Sequence, residues 1–549
     1  MIKTLIKKTI KGSIKKLQKE EKLPVFDLPE FKVEHPKEEK FGDYSCNISL
    51  ILGNILKKSP QEIGEQIVED LKESKERKVK LFRKVGVVKP GFINFYLSDE
   101  FLQSEAEKLA TTQNDLWEFN IGKGKKAQVE FVSANPTGPL HLGHGRQAAI
   151  GDSLARVLAL SGYKVTKEYY FNDEGQQMRN LTESVYARYR QLLGDKDFPL
   201  PERGYEGEYI RDIAKKIVEK EGDKFQKKID KEHFKKYAEE CLFALIKKTL
   251  KNMGVIHDIF YNESDLYKEG KVDALVKTLK EKCLAYNKDG ALWLKLSKMG
   301  RKDDKVIVKA SSDPTYRLPD IAYHIEKIKR GFDLIIDIFG SDHAEEYPDV
   351  LAVLKALGYD ESKVKVIIHQ FVTLKGGKKM SKRKGTFVTL DQIIDEVGGD
   401  VTRFLFLEKA SGTHIELDLN LAKDKSEKNP VYYIQYAHAR ICSILRKTED
   451  CSLDTFDEKL LKHKSELVLV KKILEFPEII YDINKDFGIH RLCYYAYSLA
   501  TCFSGFYRDC KVISGGKDLT QARLSLIILT KKVLALSLKL LGINAPEKM

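Results

Sequence analysis

The eight cysteines of this chain (Cys46, Cys241, Cys283, Cys442, Cys451, Cys493, Cys502 and Cys510) include no pair spaced C-x-x-C. A zinc knuckle and a thioredoxin-like redox motif are thereby excluded; reduced thiols packed in a core are the reading that remains. Long apolar runs are missing as well. The most apolar stretch, residues 524–529, meets Lys531 and Lys532 at once, far short of the ~20 residues that a membrane-spanning helix needs. Residues 1–16 alternate lysine with Leu and Ile and offer neither an apolar h-region nor a small-residue cleavage site. No membrane partner and a cytoplasmic location are therefore expected. Glycine (36) and proline (15) are too sparse among 549 residues, and hydrophobic residues at 42% too abundant, for a disordered or collagen-like chain. Acid is the minority charge: 81 Asp and Glu face 95 Lys and Arg, leaving +14 and a pI near 9.0. That balance favours a polyanionic partner, with nucleic acid first.

At roughly 100 to 200 residues per domain the length predicts about three domains, and the periodicity divides the chain likewise. Residues 1–112 read as a small N-terminal α+β domain. It begins with a basic amphipathic helix and an irregular stretch at 33–40. Helical patterns follow over 45–56 and 60–71, the second opened by Ser59 as N-cap with Pro60 in its first turn; a strand over 91–97 closes the unit. Between 113 and 425, strands at 129–132, 165–171, 333–339 and 364–368 alternate with helical patterns such as 144–160. This predicts a doubly wound, Rossmann-like α/β domain with a parallel sheet, carrying a polar, mostly helical insertion at about 176–300. Residues 426–549 show four long helical patterns, at 432–445, 460–474, 489–507 and 519–541, and predict an all-α bundle.

Two segments carry chemistry. The first is Ala134-Asn135-Pro136-Thr137-Gly138-Pro139-Leu140-His141-Leu142-Gly143-His144, between a predicted strand and a predicted helix. In a doubly wound sheet such a turn lies at the carboxyl edge, where the following helix presents free N–H groups to an anion. Two imidazoles can add donors to phosphate oxygens, and Gly143 lets a flat base approach the backbone. Alone, an H-x-x-H pair is as readily structural, or a metal-ligand pair. The second segment is Lys378-Lys379-Met380-Ser381-Lys382-Arg383-Lys384-Gly385, after Gly376-Gly377. In isolation it reads as a solvated basic loop; after a sheet strand it suits closure on a triphosphate, where lysines stabilise developing charge.

Together and in this order the two segments resemble the HIGH and KMSK signatures of class I aminoacyl-tRNA synthetases, with Leu142 in place of Ile. Gly340-Ser341-Asp342-His343 resembles that class's ribose-contacting segment. Within the class, essentially the whole chain resembles the arginyl-tRNA synthetases. Phe41-Gly42-Asp43-Tyr44 and Pro90-Gly91-Phe92-Ile93-Asn94-Phe95 resemble their appended N-terminal domain. Val129-Glu130-Phe131-Val132-Ser133-Ala134-Asn135 and Tyr316-Arg317-Leu318-Pro319-Asp320 resemble their substrate segments, with Pro319 a departure from the polar or basic residue of many relatives. Residues 432–440 and the ending Ala545-Pro546-Glu547-Lys548-Met549 resemble their anticodon-binding domain.

The resemblance implies ATP-dependent ligation of L-arginine to its tRNA through arginyl-adenylate, on the 2′-hydroxyl of the terminal adenosine. It assigns catalysis to His141, His144, Lys379 and Lys382, and ATP contacts to Leu142, Gly143, Gly340, Asp342, Met380 and Ser381. Arginine would meet Glu130, Ser133, Asn135, Tyr316, Asp320 and His343; a planar, always charged guanidinium calls for carboxylates in a dry site. The blander readings are an edge-strand surface carboxylate for Glu130, core packing for Tyr316 and a helix N-cap for Asp320. The partners implied are ATP with Mg2+, L-arginine and arginine-specific tRNA. No dedicated metal cage is evident, tRNA is expected to be needed for the first step, and the working unit is expected to be a monomer. A cysteine-specific synthetase, a catalytically silent tRNA-binding paralogue and a simple nucleotidyltransferase are the competing readings. Zinc-ligand spacing, absent here, would favour the first; the intact 379–382 segment argues against the second, and the two flanking domains against the third.

Overall fold

The computed structural model describes residues 1–73, 81–112, 116–376, 388–448, 457–513 and 516–549. A basic helix, Ile2–Lys19, opens the chain and buries Ile2, Ile6, Ile10, Ile14 and Leu17 along one stripe. It packs with the helices Ile48–Leu56 and Pro60–Glu73 on an antiparallel sheet of β1 (Val33–Glu34), β2 (Tyr44–Cys46), β3 (Phe82–Val88) and β4 (Phe92–Leu97), ordered β1-β2-β4-β3. Ser59 Oγ accepts from the Glu62 N–H at 3.4 Å, the N-cap that the Ser-Pro pair signals. The α+β expectation holds for this region. β3 escapes notice because Arg83, Lys84 and Gly86 mask its alternation.

The central sheet is parallel throughout. Its strands are β5 (Lys126–Glu130), β6 (Lys164–Phe171), β7 (Ile259–Asn262), β11 (Leu334–Gly340) and β12 (Val364–His369), in the order β12-β11-β5-β6-β7. β5 is central and pairs with β6 on one side and β11 on the other. The winding therefore reverses between β5 and β11, and the crevice at their carboxyl ends is where such sheets bind ligands. The helix Leu142–Leu160 follows β5 and is buried almost all round. Small residues allow its close approach; a Cβ at Gly151 would collide with the Phe131 ring, and one at Gly145 with Leu390 and Phe406.

The insertion departs from the sequence expectation. Its helices Gly175–Leu192, Glu208–Glu221 and Lys231–Asn252 do form a separate apolar core. The chain then returns to the main sheet as β7, and afterwards builds an antiparallel sheet of β8 (Ala285–Lys288), β9 (Ala291–Leu294) and β10 (Lys305–Val308) over a second core. Four-residue strands leave too short an alternation to read, and lysines on their exposed face make the segment look merely polar. Two further short strands, β13 (Val372–Leu374) and β14 (Ile415–Leu417), pair in parallel beside the site.

The C-terminal region is the expected bundle: Pro430–Arg446, Lys464–Leu474, Phe476–Asp486, His490–Asp509 and Lys517–Leu541. The third helix, absent from the periodicity, starts with Pro477 inside its first turn. The N-terminal domain docks on this bundle through a buried carboxylate. Glu478, 2% exposed, accepts from the Lys3 backbone N–H (3.1 Å) and the Tyr44 hydroxyl (3.0 Å), and meets His35 Nε2 at 3.1 Å. Lys471 Nζ reaches Asp43 Oδ1 at 2.8 Å across the same junction. Among the described residues no helix is long and apolar enough to cross a membrane.

Candidate active site

The turn after β5 is held under backbone strain. Val132 and Ser133 adopt φ of 72° and 37°, a region costing a non-glycine residue about 1–3 kcal/mol. Ser133 Oγ offsets part of this by donating to Glu130 Oε1 (2.8 Å) and accepting from the Tyr170 N–H (3.0 Å). His141 then caps the helix: its Nδ1 accepts from the Gly143 N–H at 3.1 Å, while His144 Nδ1 accepts from the His141 N–H at 3.2 Å. The two rings stack with centroids 3.6 Å apart. Because each Nδ1 is an acceptor, a neutral ring here carries its proton on Nε2. A structural role and a donor role thus coincide: capping by one nitrogen fixes the other as an N–H at a helix N-terminus.

Gln147, one turn on from His144, ties the strand ends together. Its amide, oriented to satisfy its neighbours, donates to the Val132 carbonyl (3.0 Å) and accepts from His369 Nε2 (3.1 Å) and the Gly340 N–H (3.2 Å). His369 is buried at the end of β12 with its Nδ1 3.1 Å from the Gln370 carbonyl oxygen, and burial pushes its pKa down to about 4. Its Cε1 would lie 3.9 Å from a Cβ on Gly143, and its Nε2 3.8 Å from one on Gly340. Gly143 and Gly340 are thereby brought beside one imidazole. Arg146, fully buried, donates to the carbonyls of Gln370, Thr413 and Ala410 at 2.8 Å each. Sequence reasoning missed Gln147, His369 and Arg146; helical spacing from His144 and the strand-end rule are the signals that point to them.

Lys379, Met380, Ser381 and Lys382 lie outside the described residues. The described flank after them is anchored on the histidine turn: Thr389 bridges His141, and the Leu390 N–H donates to the Leu140 carbonyl at 2.8 Å.

Beside the histidine turn a cleft of about 730 Å3 is lined by Asn135, Gln177, Glu263, Tyr267, Tyr316 and Pro319, among others. Asn135 Nδ2 donates to Gln177 Oε1 at 2.8 Å. Tyr316, 62% exposed, is not a core residue. Asp320 lies in the first turn of the helix Arg317–Lys329, whose N-cap is Tyr316, so it is not the cap. One Asp320 oxygen meets His324 Nδ1 at 3.1 Å, and His324 Nε2 meets Asp337 Oδ2 at 2.9 Å. Burial lowers the His324 pKa, but Asp320 and Asp337 outweigh burial and raise it to about 10.

Glu130 is neither exposed nor on an edge strand. Its Oε2 lies 2.5 Å from Lys327 Nζ, which also reaches Asp337 at 2.6 Å, all within a buried cluster. Burial raises the Glu130 carboxyl, with Lys327 opposing. Glu130 and Ser133 thus bond to each other and to the scaffold behind the cleft. Glu263 is one of three carboxylates on the cleft wall, with Glu174 and Asp313, that the sequence did not single out; Arg179, Lys268 and Lys309 line it too. The Tyr170 hydroxyl donates to Glu263 at 3.0 Å; burial first, then Asp173, Asp320 and Glu174, raise its pKa to about 7. Carboxylates crowded this way favour a cation between them. His343 stands half-exposed beyond β11, stacked on Phe339 at 5.2 Å.

Three sequence families match the chain in succession: "Arginyl tRNA synthetase N terminal domain" over residues 4–97, "tRNA synthetases class I (R), catalytic domain" over 107–441 and "DALR anticodon binding domain" over 434–549. The arginine–tRNA ligase of Desulfotalea psychrophila is 44% identical over 527 residues, covering 94% of this chain and 95% of that protein. The arginine–tRNA ligase of Salinibacter ruber is 42% identical over 547 residues, covering 95% and 97%. The arginyl-tRNA synthetase of Thermus thermophilus shares the fold over the full length of both chains, with a TM-score of 0.78 at 22% identity. With an imidazole pair capping a helix at the switch point and a cleft lined by Glu174, Glu263 and Asp313 together with Arg179, Lys268 and Lys309, the chain belongs to the arginyl-tRNA synthetases, a family of class I aminoacyl-tRNA synthetases.

Proposed function

We propose that the protein ligates L-arginine to its cognate tRNA, with ATP forming arginyl-adenylate and pyrophosphate before the acyl group passes to the 2′-hydroxyl of the terminal adenosine. The observation that carries this reading is the juxtaposition of two Nε2–H donors at a helix N-terminus with a cleft walled by Glu263 and flanked by Asp320. His141 and His144 stabilise the α-phosphate as the arginine carboxylate attacks it; donors fixed in advance cost no reorganisation. Lys379 and Lys382 clamp the departing pyrophosphate, with Ser381 between them. Leu142, Gly143 and Met380 border the adenine, and Gly340 and Asp342 the ribose. Asp320, Glu263 and Tyr316 receive the guanidinium; Asn135 and His343 hold the α-amino and α-carboxylate end. Glu130, expected on the guanidinium, has one oxygen on Ser133 and the other on Lys327; with Ser133 it supports the pocket from behind.

Among the described residues no group of three or more His, Cys, Asp or Glu side chains is placed to hold a metal. Mg2+ arrives held by the phosphates of ATP. The bundle offers a stacking surface for an anticodon loop. Tyr432 and Tyr436 lie parallel at 6.1 Å, Arg440 spans Tyr436 and Tyr507, and Tyr494 and Tyr497 are exposed. Among the described residues seven cysteines are free, which fits a reducing compartment, the cytoplasm, where the chain works as a monomer. Arginine-dependent pyrophosphate exchange, with and without tRNA, tests the reading. Exchange that depends on arginine, and on tRNA for the first step, supports it; no exchange under either condition leaves a silent tRNA-binding protein.

A further inference from the structure

The segment Asn135-Pro136-Thr137-Gly138-Pro139-Leu140 runs from the cleft to His141, so its course sets where the cleft stands relative to the two imidazoles. Pro136 and Pro139 bring no backbone donor, and hydroxyls of neighbouring elements take over the anchoring. The Tyr169 hydroxyl, on β6, donates to the Ala134 carbonyl at 2.7 Å. The Thr137 N–H turns back onto the Asn135 carbonyl at 2.7 Å. The Tyr209 hydroxyl donates to the Thr137 carbonyl at 2.8 Å.

Tyr209 belongs to a different packing unit. It lies in the first turn of the helix Glu208–Glu221 and packs on the separate apolar core of the three helices, not on the core of the central sheet. Its ring fills the space that a side chain at position 138 would take: a Cβ on Gly138 would stand 2.8 Å from Oη and 3.0 Å from Cζ. Burial raises the hydroxyl's pKa above its ordinary value of 10, so it remains a donor through neutral pH. On one side of this bond Asn135 and Gln177 line the cleft; on the other the chain continues into the stacked rings of His141 and His144. In the reaction proposed above, Asn135 holds the α-amino end of arginine while the imidazoles hold the α-phosphate. The attacking carboxylate oxygen and the phosphorus therefore meet only if the segment between them keeps its course, and a displacement of about 1 Å can cost about 10²-fold in rate.

We propose that Tyr209 is a positioning residue for adenylate formation: by holding the Thr137 carbonyl and covering Gly138, it sets the register between the amino-acid cleft and the phosphate-binding imidazoles. The inference rests on the function proposed above and adds a residue that touches neither substrate. A buried hydroxyl also contributes to folding, so the test separates the two roles.

Tyr209→Phe keeps the ring over Gly138 and removes only the bond. In the full-length protein, at saturating arginine, ATP and cognate tRNA, the single-turnover rate of arginyl-adenylate formation falls by about 5- to 150-fold, the range for a buried carbonyl stripped of its partner. The KM for ATP and the affinity for tRNA stay as in the unmodified protein. Gly138→Ala, which drives a methyl group against the same hydroxyl, lowers the rate as well, and the losses in the double variant fall short of additive because both act through one contact. A wild-type rate in Tyr209→Phe overturns the proposal, whatever happens to its thermal midpoint or to any KM. Strictly additive losses, or a loss traced wholly to weaker tRNA binding, overturn it too. If the unmodified protein forms arginyl-adenylate and Tyr209→Phe matches it, this inference alone falls. Failure of the unmodified protein to form arginyl-adenylate in the presence of tRNA overturns the function itself.

Discussion

Lys327 Nζ lies 2.5 Å from Glu130 Oε2, joining the helix Arg317–Lys329 to the end of the central strand β5. Lys327 is fully buried and Asp337 shares its charge. Removing a buried ammonium from two carboxylates leaves charge uncompensated, at a cost of about 3–5 kcal/mol. Lys327→Met should lower the urea midpoint by that amount of stability. An unchanged midpoint would show that the cluster does not hold the pocket. Burial raises the Asp337 carboxyl, but Lys327 and His324 outweigh it and hold it well below the usual range. Its contribution to stability is present above its ordinary value of 3.8 and lost as pH falls through the lower folded value.

The two histidines should separate rate from affinity. If the proposed roles hold, His141→Ala and His144→Ala each remove an Nε2–H donor to charge that develops only in the transition state, and adenylate formation should slow by roughly 10² to 10³. Arginine affinity stays near normal. Single-turnover measurements across an arginine titration check this; lost arginine binding at normal turnover would put the residues in another pocket.

Arginine binding should depend on pH through Glu263. Its carboxyl, raised from 4.5 to about 7 in the empty cleft, is protonated below that pH and cannot pair with a guanidinium. Affinity for arginine should fall as pH drops through about 7, with a proton released on binding at lower pH. The stability sign is opposite: the raised pKa makes the charged form costly, and that cost grows as pH rises from 4.5 to about 7. Glu263→Gln should remove this dependence and weaken arginine by about 2–5 kcal/mol, with ATP little affected. Calorimetric titrations at several pH values read all three quantities; a Gln variant with the wild-type pH profile would contradict the assignment.

Docking of the N-terminal domain should have a pH optimum. Burial raises the Glu478 carboxyl, yet His35 and Lys3 bring it below its ordinary 4.5; burial lowers His35, yet Glu478 and Glu475 bring it above 6.5. The Glu478 contribution is present above pH 4.5 and lost as pH falls further. That of His35 is present below pH 6.5 and lost as pH rises through its folded value. Both are therefore in force between about pH 4.5 and 6.5. Protease protection of the N-terminal domain across pH measures this, and Glu478→Leu should flatten the profile.

The sequence makes the reacting groups more legible than their supports. The His141–His144 turn and the parallel strands around it are readable because phosphate chemistry and buried strands demand particular residues in a local pattern. Glu263, Lys327, Gln147 and His369 are not, since their roles depend on partners brought together by the sheet; Glu130 and Lys327 are 197 positions apart. The family resemblance places Glu130 on the guanidinium, and only three-dimensional contacts reveal the buried Lys327 on its second oxygen. β7 through β10 fail for a different reason, each being only four residues long, too short for alternation to show.

Charging total tRNA with each of the twenty labelled amino acids in turn is the most direct test of the central claim. The account predicts that arginine alone is transferred, that only arginine-specific tRNA receives it, and that neutral citrulline is a poor substrate. Transfer of a different amino acid, equal use of citrulline and arginine, or no transfer to any tRNA would contradict it.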